Sequence, residues 1–259
     1  MKIYRFRYRR RVLTGVLKEE FLFPVVGSIF GDFSLGSSPV PVGDVRVLPP
    51  VLPTKIVGIG RNYREHAREL GNPLPEEPLI FLKPPTAVAG HLDAVVQPPA
   101  SRRVDYEGEV GVVIRRRARQ LGDGDPVDDV ILGYTCFNDV TARDLQAKDV
   151  QFTRAKGFDT FAAVGPCVAT GLDPGAIRLK TFLNGKLVQS GTTADLIFSI
   201  PFLVRYVSRI MTLNPGDIIA TGTPAGVGPA APGDRVDVQI EGIGVLSNTF
   251  SRPGGKEFA

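Results

Sequence analysis

The chain opens on short runs in which apolar and polar positions alternate, KIYRFRY, VLTGVL and EEFLFPVVG, with Gly and Pro between them. A period of two is the pattern of strands with one buried face. In the first run Arg5, Arg7 and Arg9 alternate with Tyr4, Phe6 and Tyr8. Residues 1–49 therefore predict a small β-rich N-terminal domain. Leu48-Pro-Pro-Val-Leu-Pro53 follows, a stiff connection because proline fixes φ and removes a donor, and residues 50–259 form the second, larger domain. Its apolar runs, KIVGIG, EVGVVI and RVDVQIEGIGVL, are short and β-branched, as strands are. Helical patterns are few. Residues 141–149 consist of good helix formers, with Asp139 or Thr141 in place to cap them. Residues 199–212 offer Ser199 as N-cap, Pro201 in the first turn, and Ile200, Leu203, Val204, Val207, Ile210 and Met211 on one stripe. Strands without regular intervening helices predict a mostly β fold with short peripheral helices, not a doubly wound α/β one.

At 259 residues, 43% of them hydrophobic and 22% charged, the chain can bury a substantial core without staples. Cys136 and Cys167 are too few for a disulfide framework and lie in no metal-binding spacing, so both read as buried apolar residues. The N-terminus is basic but lacks the apolar run of a signal peptide, and no stretch approaches the ~20 apolar residues of a membrane span. A cytoplasmic protein with no membrane partner is expected. The net charge of +4 comes from 22 Arg against 9 Lys, clustered at 5–11 and 115–119. No zinc-finger, helix-turn-helix or RNA-recognition pattern accompanies either cluster, so nucleic acid is not an expected partner.

The stretch richest in chemistry is Val104-Asp-Tyr-Glu-Gly-Glu-Val-Gly-Val-Val-Ile114. On a continuous strand Asp105, Glu107 and Glu109 share a face, and Gly108 leaves the backbone open to close approach. Carboxylates so placed repel one another unless a cation joins them, and the core-like VGVVI that follows speaks against a solvated acidic edge. Asp139, between the strand-like ILGYTCF and the 141–149 segment, supplies a further fixed acid. An all-oxygen set of Glu107, Glu109 and Asp139 suits Mg²⁺, Mn²⁺ or Ca²⁺ rather than zinc. A second group is Gly60-Arg-Asn-Tyr-Arg-Glu-His-Ala-Arg-Glu69. If it is helical, His66 and Glu69 share a face and the carboxylate orients the imidazole as a general base. Thr221-Gly-Thr-Pro-Ala-Gly-Val-Gly228 lacks the Lys-Ser/Thr of a P-loop, and fits either a tight turn or a set of amides that hold a carboxylate. Lys83 and Lys156 sit among apolar and turn residues, placed either to neutralise an oxyanion or to snorkel.

In order along the chain, GRNYxxHxxE, FLKPxT, DYEGEV, GYTxxNDVTARDLQ, AKGFDTFxxVGP and TGTPAGVG resemble the fumarylacetoacetate hydrolase family from about residue 53 to about 249. The resemblance implies a mixed β-roll, a homodimer, and Mg²⁺ or a similar ion on Glu107, Glu109 and Asp139, with Asp105 outside the ligand set. It implies that His66 and Glu69 activate water, that Lys156 stands near the substrate oxygen, and that Arg143, Gln146 and Thr223 contact substrate. The implied activity is hydrolysis or isomerisation of acylpyruvate-type or 2-hydroxy-dienedioate 2-oxo acids through a metal-stabilised enolate, in aromatic-compound catabolism. Decarboxylation of oxaloacetate-type acids is the alternative on the same platform, and a non-catalytic metal- or nucleic-acid-binding protein is a remote one.

Overall fold

The computed structural model describes residues 1–69, 71 and 73–254; the last five residues of the expected second domain lie outside them. The architecture is mostly β. One large sheet runs in the spatial order Phe33–Leu35, Phe21–Gly27, Arg11–Lys18, Lys2–Tyr8, Ala162–Ala169, Ile131–Asp139, Gly108–Ile114, Ile218–Ala220, Ile56–Gly60 and Leu79–Lys83. The N-terminal strands join it directly: Lys2 pairs with Ala169 and Ile3 with Val168. The proline segment is packed, with Val51 buried in the same cluster as Ile3 and Val16. A second sheet orders Val95–Val96, Gly244–Ser251, Arg235–Ile240, Arg178–Leu183 and Lys186–Thr192, and a small third one joins Thr141–Ala142, Val104–Tyr106 and Gly228–Pro229.

The centre of the large sheet is buried on both faces, which is why strand 108–114 reads as a nearly continuous apolar run. Val110, Val112 and Ile114 point to the core shared with Leu179, Val238 and Leu246 of the second sheet. Val113 points the other way, toward Phe137, Val164 and Ile218. Four helices are described. The longest, α4 (Ile200–Ile210), follows Ser199 and carries Pro201 in its first turn; Ile200, Leu203, Val204 and Val207 of the predicted stripe are buried, whereas Ile210 at its end is exposed. The others are α1 (Arg64–Glu69), α2 (Arg143–Lys148) and α3 (Thr153–Lys156), all six residues or fewer. None of the described helices is long and apolar enough to cross a membrane.

Two local expectations are corrected. Neither Asp139 nor Thr141 caps α2: no side chain caps it, because the Thr141 hydroxyl donates to Asp139 O and the Asp139 carboxylate is taken by two lysines. Nor is 104–114 one strand. Val104–Tyr106 belongs to the third sheet and Gly108–Ile114 to the large one, so Glu107 stands at the switch between them. The alternation that would have aligned Asp105 with Glu107 and Glu109 is broken there.

Candidate active site

The site grows from the central strand pair. Gly108 lies opposite Asn138 in the antiparallel ladder, Asp139 N donates to Glu107 O at 2.9 Å, and Glu107 N donates to the Asn138 side chain at 2.9 Å. This register brings Glu107, Glu109 and Asp139 together, with one carboxylate oxygen from each within 4.8 Å of the others and all three residues buried. Asp105 is elsewhere, accepting from Arg103 at 2.9 Å and from Arg143 at 3.0 Å.

The trio is not bare. Lys156 Nζ bridges Glu107 and Asp139, 2.7 Å from each. Arg143 donates to Glu107, and Lys83, fully buried, donates to Asp139 and to Val140 O. Lys83 therefore does not snorkel; it backs an acid. Burial drives the Lys83 ammonium down to about 8 against the pull of Asp139. Burial also works to raise Glu107, but the Lys156 ammonium and the Arg143 guanidinium outweigh it and hold that carboxyl well below the usual range. Glu109 differs. Its burial, with Asp139 and Glu107 close by, pushes its carboxyl well above the ordinary value, and its hydrogen-bond donor is the Gly222 amide at 2.9 Å. Glu109 is the member of the trio that, among the described residues, accepts no hydrogen bond from a cationic side chain. Three hard oxygen donors gathered this closely, one of them without a cationic partner, could hold a divalent cation.

A cavity of about 380 Å³ opens over the trio, and His66, Arg143, Gln146, Lys156 and Thr223 line it as well. On α1, His66 Nδ1 lies 3.0 Å from Glu69 Oε2, and Glu69 Oε1 accepts from Gly226 N at 2.9 Å. A carboxylate only accepts, so Nδ1 carries the proton and Nε2 is left as the basic nitrogen. Phe81, Phe152 and Leu79 form the apolar wall. The Phe81 and Phe152 rings meet edge to face at 5.8 Å, and Lys156 Nζ stands 4.9 Å from the centre of the Phe81 ring.

The structure also redistributes work among the expected substrate contacts. Arg143 donates to Asp105, Glu107 and Gln146, so three of its five N–H groups hold the protein and two are left over. The Thr223 hydroxyl gives its proton to Gly108 O at 2.9 Å and accepts from Gln189 at 2.7 Å. The Thr221–Gly228 segment does hold carboxylates with its amides, and they are the protein's own: Glu109 through Gly222 and Glu69 through Gly226. Gly226 has φ +100°, and a Cβ there would lie 2.0 Å from Val188 O. Gly108 serves packing rather than access for a ligand, since its Cβ would lie 2.0 Å from the Thr181 hydroxyl oxygen.

Sequence reasoning passed over Gln189. Buried on strand Lys186–Thr192, it accepts from Gly108 N at 3.0 Å and donates to Thr223 and to Pro224 O, tying the glycine loop to the segment between the two glutamates. A single polar residue in KLVQSGT carries no pattern that announces this. Phe81 stands out in the sequence only as part of the FLKPxT motif, and Phe152 lies in none of the motifs.

Residues 55–251 match the family model described as fumarylacetoacetate (FAA) hydrolase, C-terminal, and residues 1–50 match the model Rv2993c-like, N-terminal. The chain is 42% identical over 229 residues to the oxaloacetate tautomerase YisK of Bacillus subtilis, covering 83% of this chain and 76% of that one. Among solved structures, 5-carboxymethyl-2-hydroxymuconate delta-isomerase from Mycobacterium smegmatis superposes with a TM-score of 0.92 at 39% identity. The 2-hydroxyhepta-2,4-diene-1,7-dioate isomerase from Mycobacterium marinum does so with a TM-score of 0.91 at 39% identity. Both alignments cover 98% of this chain and 100% of the other. With the motifs in order, the fold matched from end to end and the acidic trio facing a histidine–glutamate pair, this chain belongs to the fumarylacetoacetate hydrolase family of isomerases, hydrolases and decarboxylases.

Proposed function

We propose that this chain is a divalent-cation-dependent isomerase that moves a proton on a dianionic 2-oxo acid, interconverting its keto and enol forms. The observation that carries the reading is the pairing of His66 with Glu69 across one cavity from Glu107, Glu109 and Asp139. Two relatives support it by name, an oxaloacetate tautomerase and a 2-hydroxyhepta-2,4-diene-1,7-dioate isomerase.

The chemistry divides between the two sides. A divalent ion held by Glu107, Glu109 and Asp139 would supply Lewis-acid polarisation of the 2-oxo group and hold the negative charge that develops on its oxygen. In the keto-to-enol direction His66 Nε2 takes the proton from the carbon next to the 2-oxo group and gives it back at the 2-oxo oxygen, Glu69 stabilising the imidazolium formed in between, and ketonisation runs the same transfers in reverse. Lys156 has three N–H groups, two of them engaged by Glu107 and Asp139, which leaves one for the substrate oxygen. The apolar wall of Phe81, Phe152 and Leu79 keeps water from screening these interactions.

A second reading, hydrolysis of a C–C bond in an acylpyruvate, rests on the same dyad, because His66 oriented by Glu69 can deprotonate a water instead of a carbon acid. Purified protein with Mg²⁺ should speed ketonisation of enol-oxaloacetate, followed by loss of the enol absorbance. It should also be tested on 2-hydroxyhepta-2,4-diene-1,7-dioate and acetylpyruvate. Cleavage of acetylpyruvate with no effect on enol-oxaloacetate would replace the first reading with the second, and inertness toward all three acids would contradict both.

A further inference from the structure

The basic side chains bordering the cavity are nearly all occupied. Lys156 is spent on Glu107 and Asp139, His66 on Glu69, and Arg143 on Asp105, Glu107 and Gln146. Arg61 is the exception. It lines the same cavity, at the turn that follows strand Ile56–Gly60, and among the described residues its guanidinium has neither a hydrogen-bond acceptor nor a carboxylate within ion-pairing distance.

Its backbone is unusual as well. Arg61 has φ +57°, the left-handed region that a residue with a Cβ enters at a cost and that glycine or asparagine would occupy more easily. The next residue explains why the conformation is kept. Fully buried Asn62 donates through its amide to Phe198 O and to Thr221 O at 2.8 Å, and accepts from Phe198 N at 2.8 Å. Three bonds to two other segments pin the turn, so its shape is imposed from outside and holds an arginine in a conformation that does not favour it. Strain held at a ligand cavity by a rigid surround points to function.

We propose that Arg61 receives the second carboxylate of a dianionic 2-oxo acid, the one remote from the 2-oxo group, and so sets the preference for diacids over monoacids. The assignment rests on the isomerase reading above. An arginine free of internal partners offers the planar pair of N–H groups that matches a carboxylate, and the cavity supplies no other uncommitted cation among the described residues. The near end of the substrate needs no further arginine, since Lys156 and Arg143 line the cavity beside the trio and each keeps N–H groups beyond those bonded to the protein.

The test compares oxaloacetate, with two carboxylates, and pyruvate, with one, as carbon acids. Tautomerisation of the first is followed by absorbance, and exchange of the methyl protons of the second by NMR in deuterated water. Arg61→Asn suits a left-handed backbone and should fold; Arg61→Lys retains the charge. In Arg61→Asn the ratio of kcat/KM for oxaloacetate to that for pyruvate should fall about 30-fold, the loss expected for a hydrogen bond between charged groups. Arg61→Lys, which keeps the charge but not the planar fork, should recover part of it. Calorimetric titration with unreactive 2-hydroxy acids gives a reading independent of turnover: malate should lose affinity in Arg61→Asn, and lactate should lose far less. Equal losses for diacid and monoacid, in either measurement, would overturn the role of Arg61 while leaving the ion site and the base intact. A wild-type protein that exchanges neither acid would overturn the isomerase reading, and the assignment of Arg61 with it.

Discussion

The acidic trio and the histidine–glutamate pair face one cavity but are held by different means. Glu107, Glu109 and Asp139 sit at the ends of central strands, buried, in a ladder whose neighbours are themselves buried, with Lys83, Lys156 and Arg143 locked against them. His66 and Glu69 ride on a six-residue helix whose other charged residues, Arg64, Glu65 and Arg68, are exposed. A helix so short is marginal by itself, and a hydrogen bond donated by the Gly226 amide to Glu69 ties the pair to the glycine loop. The sheet carries the electrostatics that must not move, and the helix carries the group that must exchange a proton with substrate. Damage to the first side should therefore reach stability and ion binding, whereas damage to the second should reach turnover alone.

The sharpest contrast is Asp139→Ala against His66→Ala. Removing Asp139 leaves Lys83 and one contact of Lys156 without a counter-charge in the interior, and the protein should lose about 3–5 kcal/mol in denaturant unfolding, together with its divalent-ion binding. Unfolding energies within 1 kcal/mol of wild type, on the order of an ordinary surface substitution, would show that these cations are solvated and the trio is not structural. In His66→Ala turnover should fall about 10²–10⁴-fold, while ion affinity measured by calorimetry stays at the wild-type value; a matching fall in ion affinity would erase the distinction between the two sides. Gly226→Ala should come next. Its Cβ cannot be accommodated against Val188 O without shifting the loop, which frees Glu69, so turnover should drop by about 10-fold or more, as for loss of one oriented hydrogen bond. Unchanged kinetics would mean that the tether does not position the base. The smallest effect is expected at Arg68→Ala, which breaks the exposed pair with Glu65 and should alter stability by less than about 0.5 kcal/mol. A larger loss would mean that α1 depends on its surface charges.

The same contrast governs what could be read from the sequence. The trio was legible because Glu107 and Glu109 stand immediately before VGVVI, an unlikely place for acids that serve only solubility, and Asp139 follows another apolar run. The dyad was legible from an i, i+3 spacing within a segment that does form a helix. Asp105 was misplaced because a period-two pattern does not reveal that the chain changes sheets at Glu107. The strand content and α4 followed from local patterning, whereas the joining of the N-terminal strands to Ala162–Ala169 is a pairing between distant segments that no local pattern encodes. Likewise the partners of Lys83, Lys156 and Gln189 lie 17 to 81 residues away in the chain. Residue type announces a charge or an amide; only the fold decides what it meets.

Every role proposed for the site depends on the trio being a seat for a divalent cation. Titration of the folded, chelator-treated protein with Mn²⁺, followed by the loss of the free-ion electron paramagnetic resonance signal, tests this directly. One tightly held ion per chain, abolished in Glu109→Ala while the variant stays folded, is the predicted result. A free-ion signal that never falls, or one that falls equally in the variant, would contradict it.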